Sequence, residues 1–127
     1  MRVTEQRAAW CDRDAPAIAE FVALREAGPG VKGQQLLCDA PAEMSRLCLE
    51  AATLLQAFRT HVSERVRDDL EMSLSLLAST AQAAMLLLDS NLRIWPEPAL
   101  LATYEPIRAG LEREIKQVTP VKRIRTQ

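Results

Sequence analysis

Residues able to carry out chemistry are few in this sequence, and several of them lie in one charged segment, residues 61–69. His61 is the only histidine of the 127 residues, so one chain cannot build a metal site from several histidines. An imidazole titrates near neutral pH, so His61 could relay a proton or bind a polar ligand. The structural alternative is an exposed residue at the junction of two helices, and the sequence leaves both open.

Arginines and aspartates follow in the same segment, at the predicted start of a helix. Arg67, Asp68 and Asp69 are candidate site residues if one aspartate turns inward to hold a polar ligand. The alternative is structural, because carboxylates near a helix N-terminus interact favourably with the helix dipole. Arg65 and Asp69 also have the i,i+4 spacing of an ordinary surface ion pair.

A second polar group, Asp89-Ser90-Asn91, ends the most apolar segment of the chain. Polar side chains at a buried helix end either cap the helix or line a pocket. Asn91 is therefore a further candidate ligand-binding residue. Trp95, just beyond this group, is either a stacking surface for an aromatic ligand or a packing residue of the following loop.

The cysteines indicate neither a disulfide framework nor a metal site. Cys11, Cys38 and Cys48 are odd in number and have no C-x-x-C spacing, which argues against paired disulfides and against structural zinc. Free cysteines of this kind are typical of a reducing compartment. The sequence therefore predicts a cytoplasmic protein without a bound metal.

Length and composition predict one helical domain spanning residues 1–127. Apolar residues make up 48% of the chain, enough for a substantial core, and the net charge is −1. This charge gives no electrostatic reason to expect nucleic acid or an anionic membrane as a partner. A basic segment at residues 122–125 keeps salt-dependent nucleic-acid binding as an alternative. The first ten residues mix polar and charged types, so no signal peptide is expected.

The chain is organised around a helix predicted at about residues 66–92. Between Glu71 and Asp89 there is no charge, glycine or proline, and apolar residues recur at alternating intervals of four and three, as on one face of a helix. Those residues are Leu70, Leu74, Leu77, Ala81, Ala84 and Leu88. Other apolar residues lie on other sides of the helix, so more than one neighbour must cover it. They are Leu76, Met85, Leu86 and Leu87.

This pattern predicts an all-α fold, an antiparallel helical bundle of four to five helices around the central helix. It also predicts a homodimer or a helical partner subunit, because so few neighbours would leave an apolar side of the central helix uncovered. Membrane insertion is not expected, since the uncharged run is shorter than a full span and carries five polar side chains.

Caps and breakers predict further helices on both sides of the central one. They begin after Thr4 and after Asp14, and others cover about residues 34–38, 44–62 and 100–118. Gly28-Pro29-Gly30 is the strongest break in the sequence. Pro41 is expected to end or bend the short helix before it, because proline lacks an N–H and clashes with the preceding turn. No strand pattern is present.

Four short motifs occur in the order and approximate spacing of a known family. The first two are Asp14-Ala15-Pro16-Ala17-Ile18 with Phe21, and Ala40-Pro41 leading to Met44 and Leu47. The other two are Arg67-Asp68-Asp69-Leu70 and Leu86-Leu87-Leu88-Asp89-Ser90-Asn91-Leu92. Through them, residues 12–111 resemble the C-terminal part of the formiminotransferase-cyclodeaminase and methenyltetrahydrofolate cyclohydrolase family.

The resemblance implies an all-helical dimer that binds a tetrahydrofolate derivative and opens or closes its one-carbon unit. Asp69 would then be the catalytic residue that takes or gives a proton, and Asn91 would bind the donor–acceptor edge of the pterin. Arg67, Asp68 and His61 are the other candidate ligand-binding residues. The structural alternative is that Asp69 and Asn91 only tie helix ends together.

Departures from the family pattern leave open whether the chain is an enzyme. Asp68 stands where the family has a serine, and Leu87 stands where it has its first asparagine. The Gly-Asn before the serine is absent, and the family's N-terminal Gly-rich helical segment has no counterpart in the sequence. Two hypotheses follow: a folate-linked one-carbon protein, active or degenerate, and a non-catalytic helical scaffold or regulatory subunit that acts through protein–protein contacts.

Overall fold

The described part of the chain forms three α-helices in a computed structural model. The structure describes residues 32–125, together with residues 15, 16, 18 and 19, which are helical. The three long helices are α1 (Lys32–Phe58), α2 (Glu64–Ile94) and α3 (Pro98–Gln117). No strand occurs among these residues, which confirms the all-α class for this part of the chain.

The number of helices seen is smaller than the four to five predicted. The helix expected after Thr4 lies outside the described residues, as does most of the helix expected after Asp14. The three described helices run up, down and up, and α2 packs against both α1 and α3. The Ser45 hydroxyl, for example, donates a hydrogen bond of 3.0 Å from α1 to the Ala81 carbonyl in the middle of α2.

α2 is the predicted central helix, and it extends two residues beyond the predicted bounds at each end. Residues on its buried side belong to both of the core clusters of the described chain. The first contains Leu49, Ala52, Leu74, Ala81, Met85, Leu111 and Val118. The second contains Cys38, Leu88, Leu92, Leu100 and Tyr104. Burying a single leucine of such a core stabilises the fold by roughly 1.5–3 kcal/mol.

α1 continues through Pro41, so of the two outcomes predicted for this residue, a helix that ends or a helix that bends, the first is wrong. A proline has no N–H, and the carbonyl four residues earlier loses its helical donor. That carbonyl belongs to Leu37, and it accepts a hydrogen bond of 2.9 Å from the side-chain amide of Asn91. α2 therefore supplies the hydrogen bond that the proline removes, and α1 stays in one piece.

The junctions between helices lie close to their predicted positions. Ser63 precedes α2 with extended backbone angles, φ −68° and ψ 157°, although its side chain makes no capping hydrogen bond. α2 ends at Ile94, and the N–H of the next residue, Trp95, donates to the Asn91 carbonyl at 3.0 Å. Pro98 then opens α3, at a position where a missing N–H is tolerated.

Candidate functional site

The predicted site residues at the start of α2 are exposed and do not converge. Arg67, Asp68 and Asp69 are successive residues of a helix, so their side chains point about 100° apart. All three lie in solvent, and neither aspartate turns inward. The predicted ion pair between Arg65 and Asp69 is not among the salt bridges that the described residues form.

His61 lies in the turn between α1 and α2 and is exposed. Its Nδ1 is 3.3 Å from the hydroxyl of Thr60. Its ring meets the ring of Phe58 edge-on, with centroids 6.5 Å apart. His61 therefore has the surroundings that the structural alternative describes, those of an exposed residue at a helix junction.

Asn91 lies near the other end of α2, where its side chain forms a hydrogen bond with α1. The amide donates to the Leu37 carbonyl and is half-buried. Asp69 and Asn91 are 22 residues apart, which at about 1.5 Å per residue separates them by about 33 Å along the helix axis. The two residues that the family resemblance selects therefore do not meet within one chain.

Asp89 and Ser90 face a shallow groove between α2 and α3, with a volume of about 590 Å³. Arg93 and Glu105 also line it, so the groove carries charges of both signs. Of the three polar residues that end the apolar segment, two thus line a groove while Asn91 contacts α1. A second shallow groove, of about 540 Å³, lies between α1 and α3.

A polar cluster that is not among the sequence predictions joins all three helices at one end of the bundle. Glu71 is buried, with a side chain 1% exposed, and its carboxylate accepts hydrogen bonds of 2.6 and 3.1 Å from the Arg59 guanidinium. Arg59 also donates to the carbonyl of Thr119 at 2.7 Å. Gln56 accepts from the Thr119 N–H at 2.7 Å and donates to the Gln117 carbonyl at 3.0 Å. The cluster fastens the end of α3 to the end of α1.

The sequence contains a partial signal for this cluster. Glu71 precedes Leu74 by three residues and Ala78 by seven, so it belongs to the buried side of α2. A carboxylate in that position needs a cation and hydrogen-bond donors. The cation comes from the turn after α1, and only the packing of the helices brings Arg59 to it.

A second polar contact lies at the other end of the bundle, around the buried hydroxyl of Tyr104. This hydroxyl donates to the carboxylate of Asp39. Burial, together with the hydrogen bond to Asp39, raises the pKa of Tyr104 above its ordinary range. Burial, and then the charge of Asp39, raises the pKa of the Cys38 thiol to about 11. A neutral buried thiol is a poor nucleophile, so this contact fits helix positioning rather than catalysis.

A row of apolar and small residues is exposed on α2, on the side opposite the core. Met72 in this row and the fully buried Ala81 are nine residues apart. Nine residues make about two and a half turns, so the two residues lie on opposite sides of the helix. Each member of the row lies three, four or seven residues from another member, so together they occupy one broad side of the helix. We call them the outer stripe: Met72, Leu76, Ser79, Ala83, Leu86, Leu87 and Ile94. The five large side chains of the outer stripe are 50–69% exposed.

α2 is also the one helix of the described residues that is long and apolar enough to cross a membrane. Its two apolar sides account for this, because the buried side and the outer stripe both contribute hydropathy. The core helix of a soluble protein meets the same criterion, so the finding assigns no membrane role. Within residues 32–125 and the four helical residues before them, no group of three His, Cys, Asp or Glu residues could hold a metal ion.

Comparisons with known proteins identify no relative of the chain. The chain matches no protein-family model, no curated protein and no solved structure. The resemblance to the cyclodeaminase and cyclohydrolase family therefore stays a prediction from the motifs alone. The described geometry, above all the outer stripe, is the remaining guide to function.

Proposed function

We propose that this protein is a non-catalytic helical module that binds another helix along the outer stripe of α2. The proposal includes a cytoplasmic location and, for the whole chain, the predicted bundle of four to five helices. The observation that carries it is the outer stripe, in which five large apolar side chains are half exposed or more on one side of a long helix.

The length and chemistry of the outer stripe favour a helix as its partner. From Met72 to Ile94 it extends over 22 residues, or about 33 Å at 1.5 Å per residue. None of its members is charged. Monomeric proteins rarely leave a contiguous apolar patch of more than a few hundred Å² in water. Rows with i, i+3, i+4 and i+7 spacing are typical of contacts with an amphipathic helix.

The described residues give less support to folate chemistry. Asp69 lies in solvent, and Asn91, about 33 Å away along α2, already bonds to Leu37. The folate hypothesis stays a prediction of the family resemblance. Titration with tetrahydrofolate derivatives, followed by tryptophan fluorescence and by a methenyl-folate turnover assay, tests it directly. Saturable binding or turnover would favour that hypothesis over the present proposal.

Site-specific photo-crosslinking tests the proposed function. Benzoylphenylalanine in place of Leu76, the most exposed of the five large residues of the stripe at 69%, is expected to capture a helical segment of another polypeptide chain. The full-length protein is expressed in its native cells, and mass spectrometry identifies the captured segment. The same photoreactive residue in place of Arg113, exposed on α3, is the matched control and is expected to capture nothing.

The labels are placed at Leu76, Ala83 and Leu87 in turn, so that the whole stripe is sampled. Circular dichroism establishes that each labelled chain has kept its helix content. If folded chains give no adduct from any of these positions, the proposed function is wrong. Capture of a helical segment from an identified different protein, or from a second copy of the chain, supports the proposed function.

A further inference from the structure

We infer that the outer stripe binds the outer stripe of a second copy of this chain, with the two α2 helices antiparallel. The inference rests on the proposed function and deepens it, because it names the helix that covers the stripe. Three features of α2 support it: Leu76 and Leu86 lie at equal distances on either side of Ala81, small residues lie at the centre of the stripe, and opposite charges lie at its two ends.

Two pairs of residues in the outer stripe lie symmetrically about Ala81, namely Leu76 with Leu86 and Ser79 with Ala83. In an antiparallel pair with its twofold axis near Ala81, a residue n positions before 81 lies level with the partner residue n positions after it. Leu76, five positions before, therefore lies level with Leu86 of the partner subunit. The twofold axis repeats this contact, so leucines meet leucines in both halves of the interface.

The centre of the stripe is occupied by small side chains. Ser79 and Ala83 lie two positions before and two positions after Ala81, so each faces its counterpart across the axis. Small residues let two helices approach to the roughly 8–10 Å that is usual for packed helix axes. The larger leucines on either side can then interdigitate.

One edge of the stripe carries Asp68 near the start of α2 and Arg93 near its end. Asp68 is 18 residues before Leu86, which is five full turns, and Arg93 is seven residues after Leu86, which is nearly two turns. Asp68 and Arg93 therefore lie on the same edge as Leu86. Asp68 lies 13 positions before residue 81 and Arg93 lies 12 positions after it. Each Asp68 therefore lies beside Arg93 of the partner subunit, at both ends of the pair.

Both charges are available for this contact. Asp68 and Arg93 are exposed, and neither takes part in a salt bridge among the described residues. A parallel pair would instead bring Asp68 and Asp69 level with the same carboxylates of the second chain, where like charges repel. The antiparallel pair also places opposite ends of the two helix dipoles together. Charge thus selects the antiparallel orientation.

Charge reversal in the full-length protein tests both the partner and the orientation. Sedimentation equilibrium is expected to show a monomer–dimer equilibrium for the wild type. D68R or R93D alone places like charges at both ends, and each is expected to raise the dimer Kd about tenfold. The double variant D68R/R93D restores opposite charges and is expected to return the Kd close to the wild-type value. R113D, an exposed reversal on α3, is the control and leaves the Kd unchanged.

A second variant examines the apolar contact. L76E changes an exposed side chain, so it is expected to abolish the dimer while circular dichroism shows unchanged helix content. A dimer that survives L76E would overturn the inference. Reversals that fail to compensate each other in D68R/R93D would overturn the antiparallel register.

The remaining outcomes separate this inference from the proposed function. A wild type that sediments as a monomer at about 100 µM, a concentration that reveals contacts weaker than micromolar, overturns the second copy as partner. The proposed function then stands if photo-crosslinking at Leu76 captures a different protein. If the monomer instead binds vesicles of phosphatidylcholine and L76E removes that binding, the stripe covers a lipid surface and both proposals are wrong.

Discussion

Among single residues, Arg59 and Glu71 form the best-defined interaction. A buried carboxylate is stable only when a cation and hydrogen bonds replace the water it has lost. Arg59 supplies both through two nitrogens and still donates to the carbonyl of Thr119. Of the carboxylates at the start of α2, Glu71 is therefore the one that is buried, while Asp68 and Asp69 remain in solvent.

Arg59→Met is expected to lower the free energy of unfolding by about 3–5 kcal/mol, because it leaves the Glu71 carboxylate buried without a cation. The double variant Arg59→Met/Glu71→Leu is expected to recover most of that loss, since neither charge remains. Chemical denaturation followed by circular dichroism measures both variants. Equal losses in the single and double variants would show that the unpaired charge is not the cause.

Arg46 provides the matched control for this prediction. It pairs with Glu43 at 2.7 Å and with Glu50 at 3.7 Å, but all three side chains are about half exposed. Exposed ion pairs contribute about 0–1 kcal/mol, so Arg46→Met is expected to stay within that range. A loss as large as that of Arg59→Met would mean that burial does not distinguish the two pairs.

Between elements, α1 and α2 are linked by a hydrogen bond at the Leu37 carbonyl, in addition to their shared core. Pro41 leaves the Leu37 carbonyl without its helical donor, and Asn91 of α2 replaces that donor. This hydrogen bond therefore has a structural role. It engages the side-chain amide of Asn91, the same amide that the folate hypothesis assigns to binding of the pterin. A proline inside α1 is tolerated because a neighbouring helix compensates for it.

Asn91→Ala is expected to lower the free energy of unfolding by about 1 kcal/mol, because the partly buried Leu37 carbonyl loses its hydrogen bond. In a Pro41→Ala background the new N–H of residue 41 can donate to Leu37, so the same change is expected to cost clearly less. Denaturation of the four proteins of this double-mutant cycle measures the coupling. Strictly additive effects would contradict the compensating role of Asn91.

At the scale of the whole molecule, the second core cluster, which contains Cys38, is expected to make the free energy of unfolding decrease at alkaline pH. Its Cys38 thiol has a pKa raised from 9.0 to about 11 by burial and by the charge of Asp39. The unfolded chain loses this proton near pH 9, whereas the folded chain keeps it until about pH 11. The stabilisation is therefore fully present below pH 9 and is lost as the pH rises through 11.

The free energy of unfolding is accordingly expected to fall between pH 9 and pH 11. Denaturant titrations at closely spaced pH values measure this decline. Cys38→Ala removes the thiol, and the variant is expected to show a shallower decline over the same range. An identical slope in both proteins would show that another group is responsible.

The fold and the candidate site differ in how far the sequence predicts them. Helix formation depends on residues three and four apart, so the periodic pattern places α2 within two residues of its observed ends. The candidate site depends on residues that are distant in the chain. Asn91 and Leu37 are 54 residues apart, and no local pattern indicates that the amide of Asn91 bonds to α1.

By itself, then, the sequence determines the helical class, the central helix and the presence of apolar residues on two of its sides, because all three follow from local spacing. Only the tertiary structure decides which of those sides becomes core and which becomes the outer stripe. It also decides that Glu71 is paired with Arg59 and that α1 continues through Pro41. These outcomes depend on contacts between separate helices, and such contacts exist only once the helices have packed.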